Sequence, residues 1–255
     1  MHAKDSKTIK SLERSFSILE YIVTNGAKGV NELAEELDYS PSTVHAHLTT
    51  LHQLGYLIMV DGKYDLSNRF LYFARHGQKR VEGLDRIKTN VRRLAEETNE
   101  RVQFMVEEQG RGIYIDKAEG VHGAPNNTSL GKPRYLHICA SGKAILAHLP
   151  EERRTEIIDH WGLPQQTENT ITDEKTLASE LETIREDGIA TNNGETVAGL
   201  IAVGAPILSV DDQVIGAISI SGPAHRIATD GEVNEEYRDK LLGAIEDIAL
   251  NLKYT

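Results

Sequence analysis

The segment "SPSTVHAHLTTLHQLGYLIMVDGKYDLS", residues 40–67, limits the possible folds more than any other stretch of the 255-residue chain. Ser40 offers a side-chain oxygen to the free N–H groups of a helix start, and Pro41 stands where a missing N–H costs nothing. The helix runs to about Leu54 and Gly55 ends it. Beyond it, "GYLIMV" and "KYDLS" flank Asp61-Gly62, a strong two-residue hairpin signal. Upstream, Ile9, Leu12, Phe16, Leu19 and Val23 recur at steps of three and four and predict a helix over 10–25, while Val30, Leu33, Ala34 and Leu37 predict a short second one. Three helices and a hairpin in this order make a winged helix-turn-helix.

With Val44, Leu48 and Leu51 turned inward at about 100° per residue, Ser42, Ala46, Thr49 and Gln53 point outward. Thr43, His45 and Thr50 flank them, and His47 falls toward the packed side. A ridge of small and hydrogen-bonding groups fits a DNA major groove about 12 Å wide. Hydroxyls reach phosphates or base edges, Gln53 can pair with adenine, and Ala46 can pack on a thymine methyl. Lys63 and Tyr64 on the wing suit phosphate or minor-groove contact. Lys10 and Arg14, with Lys4 and Lys7 before them, bring positive charge to the first helix. A winged helix that docks a protein partner stands beside this reading, because the ridge carries no Arg for guanine.

The formal charge is −11, which at first argues against a polyanionic partner. Residues 1–80 carry +1 and residues 81–255 carry −12, so the acid lies outside the opening module. Exposed charges farther than about 10 Å are screened and do not forbid its approach to phosphate. An acid surplus also suits solubility in strong salt, the expectation for a halophilic source. A single cysteine, Cys139, excludes an internal disulfide and a cysteine-rich zinc module and suits a reducing cytoplasm. No apolar run approaches the roughly 18 residues of a membrane span, and the first residues lack the pattern of a signal peptide. The expectation is a cytoplasmic protein with no membrane contact.

Residues 68–82 predict a linker helix capped by Ser67 and softened by Gly77 and Gly83, and 84–99 predict another helix. These two are expected to supply a pairing surface for a homodimer, because one winged helix reads few base pairs and a symmetric pair reads a palindrome. The expected division is 1–67 for the winged helix, 68–83 for the linker and 84–255 for a second domain. That second domain opens with strands "VQFMVEE" and "GIYIDKA" around Gln109-Gly110, then a polar loop over 120–131. "TDEKTLASELETIREDG" reads as a helix capped by Thr172 and stopped by Gly188, and a last helix covers about 233–252. Helices and strands interleave, so the fold class is α+β.

"LHICASGKAIL" lacks a Walker loop, with His137 in place of the glycine and Ala144 in place of the hydroxyl. No G-x-S-x-G or H-E-x-x-H occurs, and His122, His137, His148 and Cys139 lack metal-ligand spacing, so no enzyme, cofactor or metal site is expected. In "AISISGP" strand alternation puts Ala217, Ser219 and Ser221 on one face and Ile218 and Ile220 on the other. The serines line either a half-exposed surface or a cavity, where their hydroxyls can hold a carboxylate or sugar hydroxyls. Asn192 and Asn193 add amide donors, and Ser141 reads as the cap of a helix whose free N–H groups favour an anion.

"SLERSFSILEYI", "VNELAEELDYSPSTVHAHLTTLHQLGYL", "GKYDLS", "LHICASGKAILAHLP", "TITDEKTLASELETIREDGIATNNGE", "AVGAPI" and "AISISGPAHRI" follow in an order that resembles IclR-type transcriptional regulators over about residues 9–250. The resemblance implies a winged helix-turn-helix joined by a helix to a GAF-like effector-binding domain. It also implies dimers or dimers of dimers, a palindromic operator, and a small effector such as an organic acid or sugar-derived metabolite controlling a catabolic operon. Its motifs place the effector against Ala140, Ser141, Asn192, Ala202, Ser219 and Ser221. The family often has Arg where Ala46 stands, Asp where Asn192 stands and Cys or another polar group where Ala202 stands, so this pocket is expected to be less charged.

Overall fold

The computed structural model describes residues 8–122, 129–229 and 231–253, so Lys4, Lys7 and much of the 120–131 loop lie outside the described residues. The chain divides into two units, Met1–Arg80 and Val81–Thr255.

The first unit runs α1 (Lys10–Asn25), α2 (Val30–Glu36), α3 (Pro41–Gln53), β1 (Leu57–Val60), β2 (Lys63–Leu66) and α4 (Phe70–Gln78). The β1–β2 turn is Asp61-Gly62 with φ of 50° and 76°, the doubly left-handed pair that a two-residue hairpin demands. Ile18, Ile22, Leu33, Val44, Leu48 and Leu57 are at most 1% exposed and form the core. Each such side chain contributes about 1.5–3 kcal/mol on burial.

Helix α1 corrects the sequence expectation. It buries Ile18, Leu19 and Ile22, whereas Ile9, Leu12, Phe16 and Val23 are 54–68% exposed. Two stripes obey the three-four rule and share only Leu19. The inner one includes half-buried Ser15, whose polarity hid it; Ser15 Oγ lies 2.8 Å from His47 Nδ1, which accounts for His47 as a packing residue. Helix α4 ends at Gln78, short of the expected 82, and buries no side chain. Its Phe70 and Phe73 rings stand 5.5 and 5.9 Å from that of Tyr56. Leu71 and Tyr72 are 57% and 75% exposed.

The second unit runs α5 (Leu84–Thr98), β3 (Arg101–Glu108), β4 (Arg111–Glu119), β5 (Pro133–Arg134), a 3-10 turn over Leu136–Ile138, then α6 (Ala140–His148), α7 (Glu151–Trp161), α8 (Glu174–Asp187), β6 (Ala190–Asn193), β7 (Leu200–Leu208), β8 (Val214–Pro223), α9 (Ala224–Ile227), β9 (Ala228–Thr229), β10 (Glu232–Val233) and α10 (Glu235–Lys253). Six strands form one sheet in the order β5-β4-β3-β8-β7-β6, every neighbouring pair antiparallel. Helices α5 and α10 fill one face with Ile87, Val91, Leu94, Leu241 and Ile248 against Phe104, Val203, Ile218 and Ile220. Helices α6, α7 and α8 cover the other through Ala144, Ile145, Ile157, Leu177 and Leu181 against Met105 and Ala217.

Three local expectations are corrected here. Helix α5 spends its apolar face inside this core, so it is not the free pairing surface that was expected. Asp173, not Thr172, caps α8: its Oδ2 accepts the Thr176 N–H at 2.8 Å and the Thr176 hydroxyl at 2.9 Å, and a carboxylate takes both. Ser141 does not cap α6. The capping position is Cys139, and Ser141 lies inside the helix with its hydroxyl turned to the sheet.

Candidate DNA-facing ridge and effector cavity

Helix α3 starts as its sequence demands. Ser40 Oγ accepts the Thr43 N–H at 3.2 Å and lies 2.8 Å from the Thr43 hydroxyl. With Val44 and Leu48 wholly buried, Ser42, His45, Ala46, Thr50 and Gln53 are exposed and Thr49 is half-buried. The outward ridge is therefore present, with Thr49 on its shoulder. Three hydroxyls already have partners, and that of Ser42 lies 3.0 Å from Ser40 Oγ. That of Thr43 is held in the cap, and that of Thr50 donates to the Ala46 carbonyl at 2.8 Å.

On the wing, both expected contact residues also have partners within the unit. Lys63 Nζ lies 3.1 Å from a Glu32 oxygen, and Lys28 approaches the same carboxylate at 3.7 Å. The Gly29 N–H first, and Lys63 after it, hold the Glu32 carboxyl below the usual carboxylate range. Tyr64 is half-buried against the core and meets His52 edge-on at 6.0 Å, and its backbone bridges to Lys28. Both expected wing residues thus tie the wing to α2 and α3. On α1, Lys10 and Arg14 are exposed, with the Arg14 guanidinium 5.6 Å from the Tyr39 ring centre.

In the second unit, register builds a polar floor. Gln103 pairs with Ser219, which pairs on its other side with Gly204; Ser221 pairs with Ala202, which pairs with Asn192. These residues share the face under α6. Gly204 permits that packing, since a Cβ there would stand 2.8 Å from the Ala140 carbonyl carbon and 2.9 Å from the Ser141 nitrogen. Where α6 begins, a cavity of about 60 Å³ opens between floor and helix. Ala140, Asn192, Ala202, Ser219 and Ser221, five of the six positions at which the family resemblance expects an effector, line it.

Ser141 does not line it. It is wholly buried and donates to Ser219 Oγ at 2.8 Å, holding the floor hydroxyl from behind. Asn192 fixes the rim: its amide donates to the Ile138 carbonyl at 2.6 Å and the Thr196 hydroxyl at 2.8 Å, and its oxygen accepts the Glu195 N–H at 2.9 Å. An Asp there would lose both donations, which is a physical reason for the amide in this chain.

Sequence reasoning missed Gln103, Tyr114, Arg134 and Thr196, which also face the cavity. Strand alternation from Met105 would have found Gln103; nothing local marks Arg134, which arrives on the two-residue strand β5. Burial pushes the Tyr114 hydroxyl and the Cys139 thiol up, so both are neutral at ordinary pH. Asn193 is exposed and not in the lining, and its carbonyl instead accepts from Asn169 at 2.9 Å.

The "GK" that imitates a phosphate loop has a different task. Lys143 is fully buried and pairs with Glu195 Oε1 at 2.7 Å and with Glu180. Among the described residues no cluster suits a metal ion, and no helix is long and apolar enough to cross a membrane.

Comparison with known proteins covers nearly the whole chain. The bacterial transcriptional regulator IclR C-terminal family matches residues 79–252, and the IclR helix-turn-helix domain matches residues 11–58. The transcriptional repressor IclR of Escherichia coli is 32% identical over 233 residues, 89% of this chain and 84% of that protein. The crystal structure of the Thermotoga maritima IclR superposes with a TM-score of 0.79 at 32% identity, over 96% of this chain and 99% of that one. The fold is shared also, at 22% identity and a TM-score of 0.81, with an IclR homolog from Microbacterium hydrocarbonoxydans crystallised with 4-hydroxybenzoate; 96% of this chain and 100% of that one are covered.

Proposed function

This chain belongs to the IclR family of bacterial transcriptional regulators, and from that premise we propose that it binds a palindromic operator as a homodimer or dimer of dimers and releases or grips it according to a small effector. It is a ligand-responsive DNA-binding regulator rather than an enzyme. Its working place is the cytoplasm, and the genes it controls are catabolic.

The observation that carries the DNA reading is the exposed ridge of α3, on which Ser42, His45, Ala46 and Gln53 stand opposite buried Val44 and Leu48. The absence of Arg on that ridge leaves base readout to small groups and to DNA shape. Cations Lys10 and Arg14 supply backbone attraction. The exposed apolar faces of α1 and α4 support pairing of two copies.

The effector is an organic acid or a sugar-derived metabolite, and Ala140, Asn192, Ala202, Ser219 and Ser221 receive it. It shifts operator affinity only by binding one conformation of the regulator better than another. Fluorescence anisotropy with DNA from upstream of its own gene tests this reading. A specific complex whose affinity falls steeply with added salt is expected, and a salt-insensitive or absent complex refutes it in favour of a protein partner.

A further inference from the structure

Helix α8, strand β6 and the first turn of α10 border an open groove of about 830 Å³ at the edge of the sheet. It shares no lining residue with the cavity above α6's start. Strand alternation explains how a four-residue strand serves both openings: Asn192 faces the cavity, and Thr191 and Asn193 turn to the groove. The groove lies within the size range of about 300–1,000 Å³ that receives small molecules.

Glu195 lines this groove at 6% exposure. Its Oε1 accepts from Lys143 Nζ at 2.7 Å and from the Asn193 N–H at 3.4 Å. Its Oε2 is buried and has no hydrogen-bond partner among the described residues. A buried polar atom left unsatisfied costs about 1–3 kcal/mol, more when charged. Glu180 lines the groove too, shares the Lys143 ammonium, and keeps its side chain 31% exposed. Two carboxylates around one ammonium leave a negative charge uncompensated. Burial pushes the Glu195 carboxyl up, with Lys143 opposing the shift, so the carboxylate gains from a second cation. Among the described residues no group of three or more acidic, His or Cys side chains suits a metal ion. An ammonium or guanidinium instead brings directed N–H donors, which form strong charge-assisted bonds to a carboxylate. We propose that the groove is a second ligand site, which takes a small organic monocation, an amine or guanidine, whose N–H groups Glu195 and Glu180 receive. The Glu195 N–H is held by Asn192 Oδ1 on the cavity rim, so the two openings meet at one turn.

Calorimetric titration of the full chain with ethanolamine, butylamine and butylguanidine, beside 1-butanol as the neutral counterpart, tests the proposal. At least one cation is expected to saturate a single site, with the alcohol weaker by roughly ten-fold or more. Glu195→Gln keeps the side-chain shape without the charge and should weaken the cation by roughly ten-fold or more. Ser179→Arg, at an exposed position of α8 in the groove lining, supplies a guanidinium from the chain itself. It should abolish binding at an unchanged melting temperature, even if Glu195→Gln folds poorly. Ser221→Leu, which alters only the cavity, should bind the cation as wild type does; loss of binding there would put the cation in the cavity and overturn the assignment. The alcohol bound as tightly as the cations, binding retained in both groove variants, or no cation of the set bound would overturn it equally. So would a titration with Mg²⁺ whose binding is lost in Glu195→Gln while the organic cations give none.

Discussion

Lys143 Nζ sits 2.7 Å from Glu195 Oε1 in full burial, which fastens α6 to the turn between β6 and β7. That turn also presents Thr196 and, through the Asn192 amide, the rim of the cavity. Removing one member of such a pair strands the other as a buried charge, at a cost of about 3–5 kcal/mol. Lys143→Met should therefore lower the unfolding free energy by that amount in urea titrations. Adding Glu195→Gln should restore much of it, because the buried carboxylate is then neutral and Glu180, the other partner, is part-exposed to solvent. A single variant as stable as wild type would show the pair to be dispensable.

Ser221 stands on the cavity floor opposite Ala202 in register, half-buried, and a leucine there would project into the 60 Å³ space. The added side chain would compete with an effector for that space. Ser221→Leu should bind operator DNA as wild type does and fail to change affinity when effector is added. An effector response of wild-type size in a gel-shift titration would remove the cavity from the mechanism.

The ridge of α3 makes a sharper electrostatic prediction. Ser42→Glu and Gln53→Glu each place a carboxylate on an exposed site facing the proposed phosphate walls. Each should weaken operator binding by roughly ten-fold or more at moderate salt, with unfolding unchanged. Ser40→Ala is the contrasting control. It removes the side-chain acceptor of the Thr43 N–H and should cost about 1 kcal/mol of stability. Equal DNA affinity in all three would mean that the ridge meets no duplex.

How much of this was legible follows from what each signal depends on. The Ser40-Pro41 start, the Asp61-Gly62 hairpin and the Ser219/Ser221 face depend on local backbone rules, and each stands where the sequence placed it. The buried side of α1 depends on what packs against it, and two stripes met the same periodicity. Asp173 out-competed Thr172 because a carboxylate accepts two bonds at once. Arg134 comes to the cavity through pairing of Gly112 and Ile113 with a strand of only two residues, a long-range event with no local mark. The Lys63 ion pair has no local mark because its partner, Glu32, is 31 positions away in sequence.

Association should be as sensitive as DNA binding. Tyr72 is 75% exposed on a helix that buries no side chain, beside Leu71 and Phe73. An apolar face of this kind is covered in the proposed homodimer. Tyr72→Glu puts a charge where burial would strip its water, so sedimentation equilibrium should move from dimer toward monomer by at least ten-fold in Kd. Operator affinity should drop with it, since one winged helix reads a half-site only. A dimer of wild-type strength would place the pairing surface elsewhere.

His137 supplies the pH prediction. Its ring is buried and Nε2 donates to the Pro164 carbonyl at 3.2 Å. Burial foremost, with the positive charges of Lys143 and Arg111 adding to it, pushes its pKa below the ordinary 6.5, while the bond to Pro164 opposes the shift. The unfolded chain therefore takes up this proton at a higher pH than the folded one does. Its contribution to stability is complete above about 6.5 and is lost as pH falls through the lower folded value. His137→Gln can keep a donor toward Pro164 and cannot titrate. Between pH 7 and pH 5 the wild-type melting temperature should fall more steeply than that of the variant, with the two curves separating only on the acid side of 6.5. Parallel curves across that window would assign the acid sensitivity to other groups.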